Sequence, residues 1–564
     1  MPPSAGELPS EPAISVADVG PRLRIGKFGA FDGRRVLTDL ADVPNPGGPL
    51  KGDWRRTWSQ ASLGAPAVSA GDYAAITGSE IAPPLGAVLV TDLAAAERRR
   101  LVSAMRGQGF LTGDSVAQLA TDFLRRNDPN ELAERIRKSR AALILIAFAG
   151  PRGAAATELA AQTVRHLYCE AEPKPRPAVV LLGDADTTAG ARRILEPEIT
   201  VATMDPDAAH PDNLNALHQH FASAYLAANA PVMNRNLPPK LVDRPLIPIT
   251  AALRRATWRL SHLMGLRLAV AHVEPRGVTL ALADQGSVRI ANFGHVAGEN
   301  RGGHFGLQLP VEEVARWLPV RLPDADIRAG LLDRAGRPWG VPSTHRERLI
   351  QDAAIVAALS RARTQLRLAE FECDLVVGSG AMLGGDCAPL EAAACLLNGL
   401  LPVRFCQLAQ DQASALPMLG CLDLLGETVD PSDALAPLAM SVAATGSARP
   451  NEPALHVAAQ RNDGSSVEEV VPFGATLRLA ALAGQPARIG AMPAGGLDVG
   501  GGPGRAVGLS PSVDLGVGGL LVDARGRPPA EGADPDERSE LVLAWLQGLA
   551  VYGADSPAVL GVPD

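Results

Sequence analysis

The chain has 564 residues, of which 46% are hydrophobic and only 4% aromatic, and a formal net charge of −8. That length implies three to four domain-sized units, or two large ones with insertions, with cores built from Ala, Leu and Val. A modest acidic balance without a basic stripe interleaved by aromatics argues against nucleic-acid binding, and the longest strongly apolar run, Ala141 to Ala149, is too short to span a bilayer.

The N-terminus is rich in Pro, Ser and Glu and has no apolar signal segment, so a cytoplasmic protein with reduced thiols is expected. The six cysteines are Cys169, Cys373, Cys387, Cys395, Cys406 and Cys421. Their irregular gaps and Ala/Leu-rich surroundings fit small core residues, and no metal site is expected.

In chain order, Ile14 to Gly20 reads as a strand entering a turn, and Ile25 to Phe31 as a second strand leading to a hairpin at Asp32-Gly33. Residues 41–72 read as a surface excursion. From Gly86 the pattern alternates strand and helix, with strands at Val88 to Val90, Leu143 to Phe148 and Val179 to Leu182. Helices are expected at Leu93 to Met105, Ser115 to Arg126, Asn130 to Lys138, Thr157 to Leu167, Ala189 to Leu195 and Asp212 to Ala227. Such alternation implies a parallel sheet covered by helices. Pro231 to Pro248 reads as a proline-rich joint.

After it come a helix at Thr250 to Met264 and three strands, Leu268 to Val273, Val278 to Ala283 and Val288 to Phe293. This run repeats the strand-rich start of the chain. A helix at Val311 to Trp317 and a long helix at Arg346 to Leu368 precede the most informative stretch, Asp374-Leu-Val-Val-Gly-Ser-Gly-Ala-Met-Leu-Gly-Gly385. A buried β-branched strand that stops at glycines is how an α/β domain delivers its chain to a ligand, and glycines let backbone N–H groups approach a phosphate or nucleoside. A plain strand-to-helix turn reads the same way. Helices at Leu390 to Leu400 and Ser414 to Leu425 flank a strand at Val403 to Leu408. From about Ala444 glycine rises and short strands dominate, closed by a helix at Glu537 to Tyr552. The divisions are therefore 1–245, a first α/β half with an irregular N-terminal excursion; 246–440, a second α/β half; and 441–564, a β-rich module.

Two strand-rich starts, each followed by α/β segments, suggest a duplicated actin/Hsp70/sugar-kinase (ribonuclease H-like) fold. Asp374 to Leu383 resembles the glycine loop of the glutamate mutase L family. Arg316-Trp-Leu-Pro319, Asp333-Arg-Ala-Gly-Arg-Pro338 and Gly518 to Pro528 resemble that family's segments in the same order. The similarity covers about 140–564. It implies an ATPase-like, chaperone-like protein that assists an adenosylcobalamin-dependent mutase, with ATP and Mg²⁺ as cofactors. It also implies nucleotide-binding roles for Asp18, Gly20, Gly378, Ser379, Gly380, Gly384 and Gly385.

The phosphate turns depart from that pattern. After Asp18-Val-Gly20, Pro21 and Arg22 replace hydroxyl residues, and proline offers no N–H. The nearest basic residues are Arg24 and Lys27. In the second turn His272 replaces an acid and Glu274-Pro275 replaces glycines, leaving Thr279 as the hydroxyl. A glutamate there repels phosphate. These residues describe a pseudoenzyme with weakened nucleotide binding. The alternatives are an active ATPase or phosphotransferase using Asp18, Asp184 or Glu274, and an actin-like scaffold. Gly150 to Gly153 and Gly500 to Gly504 read as turns rather than anion cradles, and Ser414 and Asp411 lack a histidine near them in sequence. Partner identity and oligomeric state stay open.

Overall fold

The computed structural model describes residues 13–19, 22–44, 73–77, 85–112, 132–134, 136–137, 141–149, 152–169, 176–209, 214–236, 244–284, 286–294, 304–338, 340–368, 370–385, 387–527, 529 and 534–552. Within them the chain forms a mixed α/β structure with parallel and antiparallel sheets. Gly20, Pro21 and the expected helix at Ser115 to Arg126 lie outside the described residues. No described helix is long and apolar enough to cross a membrane.

The first sheet comprises β1 (Ile14–Val19), β2 (Arg22–Phe31), β3 (Arg34–Pro44) and β4 (Tyr73–Thr77). The hairpin between β2 and β3 turns at Asp32 and Gly33, both at positive φ (48° and 72°), as a tight two-residue turn requires. β3 runs to Pro44, past residue 41, where the sequence reads as a surface excursion. The strand order is β3-β2-β1-β4, with β4 parallel to β1. Leu246 then bridges Ile76 in parallel, at the place a fifth strand would take.

Between β4 and that bridge lies a separate parallel sheet. Its elements are β5 (Leu85–Thr91), α1 (Ala95–Gly107), β6 (Phe110–Thr112), β7 (Leu143–Ala147), α2 (Gly153–Cys169), β8 (Ala178–Leu182), α3 (Ala185–Leu195), β9 (Val201–Met204) and α4 (Leu214–Asn236). The order is β6-β5-β7-β8-β9, with every neighbouring pair parallel. β5 and β7 are buried along their whole length, which explains their unbroken apolar runs. α4 continues through Pro231, so the expected joint begins as helix.

α5 (Ile249–Met264) leads into the third sheet. The elements up to its fifth strand are β10 (Leu268–Glu274), β11 (Gly277–Asp284), β12 (Ser287–Phe293), α6 (Val311–Ala315), α7 (Asp324–Gly336), α8 (His345–Gln365), β13 (Phe371–Glu372), β14 (Leu375–Ser379), α9 (Pro389–Leu400) and β15 (Pro402–Asp411). Then come α10 (Leu416–Leu424), β16 (Leu435–Ala443), β17 (Thr445–Gly446), β18 (Pro453–Arg461), β19 (Ser466–Pro472), β20 (Thr476–Leu479), β21 (Pro486–Pro493), β22 (Leu497–Asp498), β23 (Val507–Asp514), β24 (Leu520–Asp523) and α11 (Pro535–Gly548). The third sheet runs β12-β11-β10-β14-β15-β16-β24-β20, so β20 and β24 extend it beyond residue 441. A four-stranded sheet, β19-β18-β21-β23, packs beside it.

Four strands of the third sheet, β12-β11-β10-β14, share the order of the first sheet, in which the third, second and first strands are followed by a parallel fourth. α5 joins the two. Its Ala251 and Ala252 are buried with Val16 and Phe28 of the first sheet, while Leu253, Ala256 and Leu260 are buried with Val270 and Leu375 of the third. Gly420 of α10 leaves no room for a Cβ against the Ala252 backbone, so the two helices approach closely. Burying a leucine on α5 contributes about 1.5–3 kcal/mol. The result is that the carboxyl end of β1 faces those of β10, β14 and β15.

Candidate functional site

β10, β14 and β15 are parallel, so their last residues share one edge. His272 pairs in register with Ser379, and Gly378 with Gln410. From the first sheet, Asp18 on β1, Arg24 on β2 and Asp42 on β3 lie in one cross-strand row. The two edges meet through Arg24. One Nη of its guanidinium lies 3.2 Å from Glu274 Oε1 and 3.5 Å from Asp18 Oδ2, and its Nε lies 3.6 Å from Asp42 Oδ2. Arg24, Asp18 and Glu274 are each at most 4% exposed.

Arg24 thus reaches three carboxylates, of which Asp42 also accepts a 2.8 Å bond from Arg22 Nε, so two cations serve three acids. Burial pushes the Asp18 carboxyl up to about 7; Arg24 opposes the rise, and Glu274 and Asp42 add to it. Burial disfavours charge on Arg24, but Glu274, Asp18 and Asp42 together hold it firmly protonated. Glu274 Oε1 also accepts a 2.9 Å hydrogen bond from the Ala381 backbone N–H. The loop N–H placed to meet an incoming anion is therefore occupied by the protein's own carboxylate.

The glycine loop is shaped by close contacts within the protein. Gly380 has φ +86° and a Cβ there would lie 2.5 Å from the Val273 carbonyl. A Cβ on Gly384 would lie 2.6 Å from the Gly380 carbonyl and 2.7 Å from Ser414 Oγ, and one on Gly385 2.7 Å from the Gln412 carbonyl. Gly378, inside β14, meets only ordinary contacts. These glycines let the loop fold against β10 and the turn after β15.

Ser379 ends β14 fully buried. It donates a 2.8 Å hydrogen bond to Asp411 Oδ2, and its Oγ lies 3.2 Å from His272 Nδ1. Asp411 accepts from the backbone N–H groups of Ala415 and Leu416 at 2.8 and 2.9 Å, anchoring the start of α10. Burial raises the Asp411 carboxyl, and these donors oppose the rise. Burial, with Arg24 nearby, lowers His272 to about 3, so its imidazole is neutral. The three residues do not form a nucleophilic triad, because the aspartate binds the serine rather than orienting the histidine.

Outside this core a cleft is lined by Arg22, Pro275, Ala381 and Met382 and, from the other wall, by Arg334, Pro342, Arg348, Gln351, Asp352 and Glu391. Its cavity volume is about 40 Å³. Arg348 donates to both oxygens of Glu391, at 3.0 and 3.3 Å. Burial and the neighbouring Glu391 push Asp352 up to about 8, with Arg348 opposing.

Of the residues expected at a nucleotide site, Asp18, Ser379 and Gly378 to Gly385 are brought to this junction, and Gly20 is outside the described residues. Glu274 and His272 join them, and Thr279 is buried with Asn292. Asp184 is elsewhere: it is exposed on the parallel sheet and caps α3 by accepting from Thr187 N–H at 2.8 Å. The Gly500 to Gly504 turn is filled by Asp498, which accepts from the N–H groups of Gly500 and Gly502. No metal-ligating cluster of three or more His, Cys, Asp or Glu occurs among the described residues. Sequence reasoning missed Arg24 as the bridge, Asp411 as the partner of Ser379, and the Arg334–Asp352 wall. Separations of 250 residues between Arg24 and Glu274 and 32 between Ser379 and Asp411 leave no local signal.

A Mg²⁺–triphosphate does not fit the residues present. Asp18 faces Arg24 instead of open space, and Glu274 takes the loop N–H. No protein-family model and no curated protein matches the chain. Among solved structures it is similar to a nucleotide-free acetone carboxylase described in terms of ATP-dependent acetone carboxylation, at 10% identity and TM-score 0.30, over 82% of this chain and 81% of that one. It is also similar to the Aquifex aeolicus member of the Ppx/GppA family, at 9% identity and TM-score 0.17, over 68% of this chain and 70% of that one. At such scores neither likeness bears on fold or function.

Proposed function

We propose that the protein is a non-hydrolysing, chaperone-like or regulatory partner protein on a duplicated actin/Hsp70/sugar-kinase type of scaffold. Its nucleotide cleft is closed on the phosphate side by its own Arg24–Glu274 pair. The shared strand order of the first and third sheets supports the duplicated scaffold. The observation that carries the reading is Glu274 Oε1, held by Arg24 and by the Ala381 N–H. An anion entering there must displace a buried carboxylate whose charge is already compensated. Two negative groups in that space repel each other strongly at low local dielectric. The resemblance of Asp374 to Leu383 and Gly518 to Pro528 to glutamate mutase L segments makes a cobalamin-dependent mutase the partner to test.

Isothermal titration of the full chain with Mg-ATP, a phosphate-release assay, and pull-down against a cobalamin-dependent mutase test the reading. The expected outcome is no phosphate release, no tight triphosphate binding, and capture of the mutase. Glu274→Ala frees Arg24 and the Ala381 N–H, so triphosphate affinity should rise by about tenfold or more. Phosphate release by the wild type that disappears in Asp18→Ala would replace this reading with an active ATPase.

A further inference from the structure

His272 lies between a buried serine–aspartate pair and the carboxylate that closes the cleft. It pairs in register with Ser379 on one side and Thr279 on the other. Both neighbours have committed their hydroxyl hydrogen elsewhere. Ser379 donates to Asp411 Oδ2 at 2.8 Å, and Thr279 to Asn292 Oδ1 at 2.9 Å. Asp411 also accepts from two N–H groups at the start of α10, which favours its ionised, acceptor-only form. Ser379 Oγ, 3.2 Å from His272 Nδ1, can therefore only accept from the ring. A neutral imidazole carries one N–H, so a hydrogen on Nδ1 leaves a lone pair on Nε2. That Nε2 is buried without a hydrogen-bond partner and lies 3.7 Å from Glu274 Oε1.

We infer that Asp411 and Ser379 are positioning residues that fix His272 as its Nδ1–H tautomer and turn an unprotonated Nε2 towards the Glu274 carboxylate. This rests on the reading of Glu274 as the group that closes the phosphate side. Arg24 and the Ala381 N–H hold Glu274 Oε1, and the His272 lone pair opposes them. The site is buried, so water does not screen that opposition. The other tautomer would aim an N–H at Glu274 Oε1 and add a third donor. The tautomer of His272 thus sets how firmly the closing carboxylate is held. Asp411 acts on the ring only through the serine hydroxyl.

The test is long-range 1H–15N correlation of the full chain labelled on histidine, which separates a protonated ring nitrogen from an unprotonated one. The His272 signals are those lost in His272→Gln. The wild type should show a neutral ring with its hydrogen on Nδ1. Ser379→Ala removes the acceptor for that hydrogen, which should move to Nε2, where Glu274 accepts it. Asp411→Asn should give the same swing by another route, because the freed Ser379 hydroxyl can donate to Nδ1. Glu274→Ala should leave Nδ1–H in place, because the serine and not the glutamate sets it. A merely structural role for Ser379 and Asp411 would leave the tautomer unmoved. Hydrogen on Nε2 in the wild type, a doubly protonated ring, or Nδ1–H persisting in either folded variant overturns the assignment and leaves the closed phosphate side standing. Tight triphosphate binding by a wild type that shows Nδ1–H overturns only the closed phosphate side.

Discussion

Two buried charge clusters in this chain use the same residue types in opposite proportions. At the end of β24, Asp523 is flanked by two arginines. Arg525 bonds both carboxylate oxygens at 2.8 and 2.6 Å, and Arg527 adds a third bond at 2.9 Å. Arg525 also donates to Asn398 and stacks over Trp545. Burial alone would raise the Asp523 carboxyl, but the two guanidiniums outweigh it and hold it well below the usual range. At the junction of the first and third sheets the ratio is reversed, with Arg24 among Asp18, Asp42 and Glu274 and Arg22 adding one bond to Asp42. There the Asp18 carboxyl rises to about 7. The cluster with surplus cations, its carboxylate bonded at both oxygens, behaves as a structural pin. The cluster short of a cation is poised, because its charge can change with pH or with a ligand.

The largest effect is expected at the cluster with the most complete pairing of its carboxylate. Arg525→Met removes two of the three charge-assisted bonds to the buried Asp523 and the donor to Asn398 Oδ1, and should cost about 3–5 kcal/mol in urea unfolding. A loss below 1 kcal/mol would mean that Asp523 is satisfied by Arg527 alone and that the contrast between clusters is weaker than the geometry implies. Glu274→Ala at the other cluster should destabilise less, by about 1–3 kcal/mol, because Arg24 keeps Asp18 and Asp42. Unlike Arg525→Met, it should also raise triphosphate affinity.

The third prediction separates the clusters by pH. Asp18 is protonated in the folded state up to about 7 and in an unfolded chain only to about 3.8. Between those values the folded state binds the extra proton. Its contribution to stability is complete below the lower value and is lost as pH rises through the upper one. Asp352, raised to about 8 among Glu391, Arg348 and Cys395, acts in the same direction. The melting temperature should therefore fall from pH 5 to pH 8. Asp18→Asn should flatten the part of that fall below pH 7, and Asp352→Asn should reduce the slope all the way to pH 8. Asp523, lowered instead, loses its contribution only in strong acid. A melt that does not change between pH 5 and pH 8 would remove the distinction.

Much of the third sheet could be read in the sequence. β10 and β14 are buried throughout, and β11 up to Asp284, and they appear as apolar runs bounded by glycine or acid. What escaped is physically understandable. β9 is four residues long, and α7 buries only Ile327, Leu331 and Arg334, too sparse a stripe to mark a helix. β3 was hidden by the Pro44 at its end. At the site, Gly380 and Gly384 were visible as glycines, but not the carbonyls of Val273 and Gly380 that require them. Asp18 and Glu274 were visible as acids, whereas their joint claim on Arg24 arises only when two strand ends from distant parts of the chain meet.

The smallest effect sharpens the comparison from outside both clusters. Asp184 sits at the carboxyl end of β8 and ends a strand with Gly183-Asp184, as an acid at a nucleotide site would. Here it is exposed and bound to its own helix, accepting from Thr187 N–H. Hydrogen bonding from the Thr187 side chain, and next from its N–H, lowers the Asp184 carboxyl below the usual range, as expected of a helix cap. Asp184→Ala should lower the melting temperature by only about 2 °C, and the triphosphate titration should match the wild type. Asp184→Asn, which keeps an acceptor for Thr187, should recover most of the loss. If Asp184→Ala instead raised triphosphate affinity as Glu274→Ala is expected to, while the melt stayed put, the acid that matters would lie on the parallel sheet, and the junction at Arg24 would be a structural pin like Asp523.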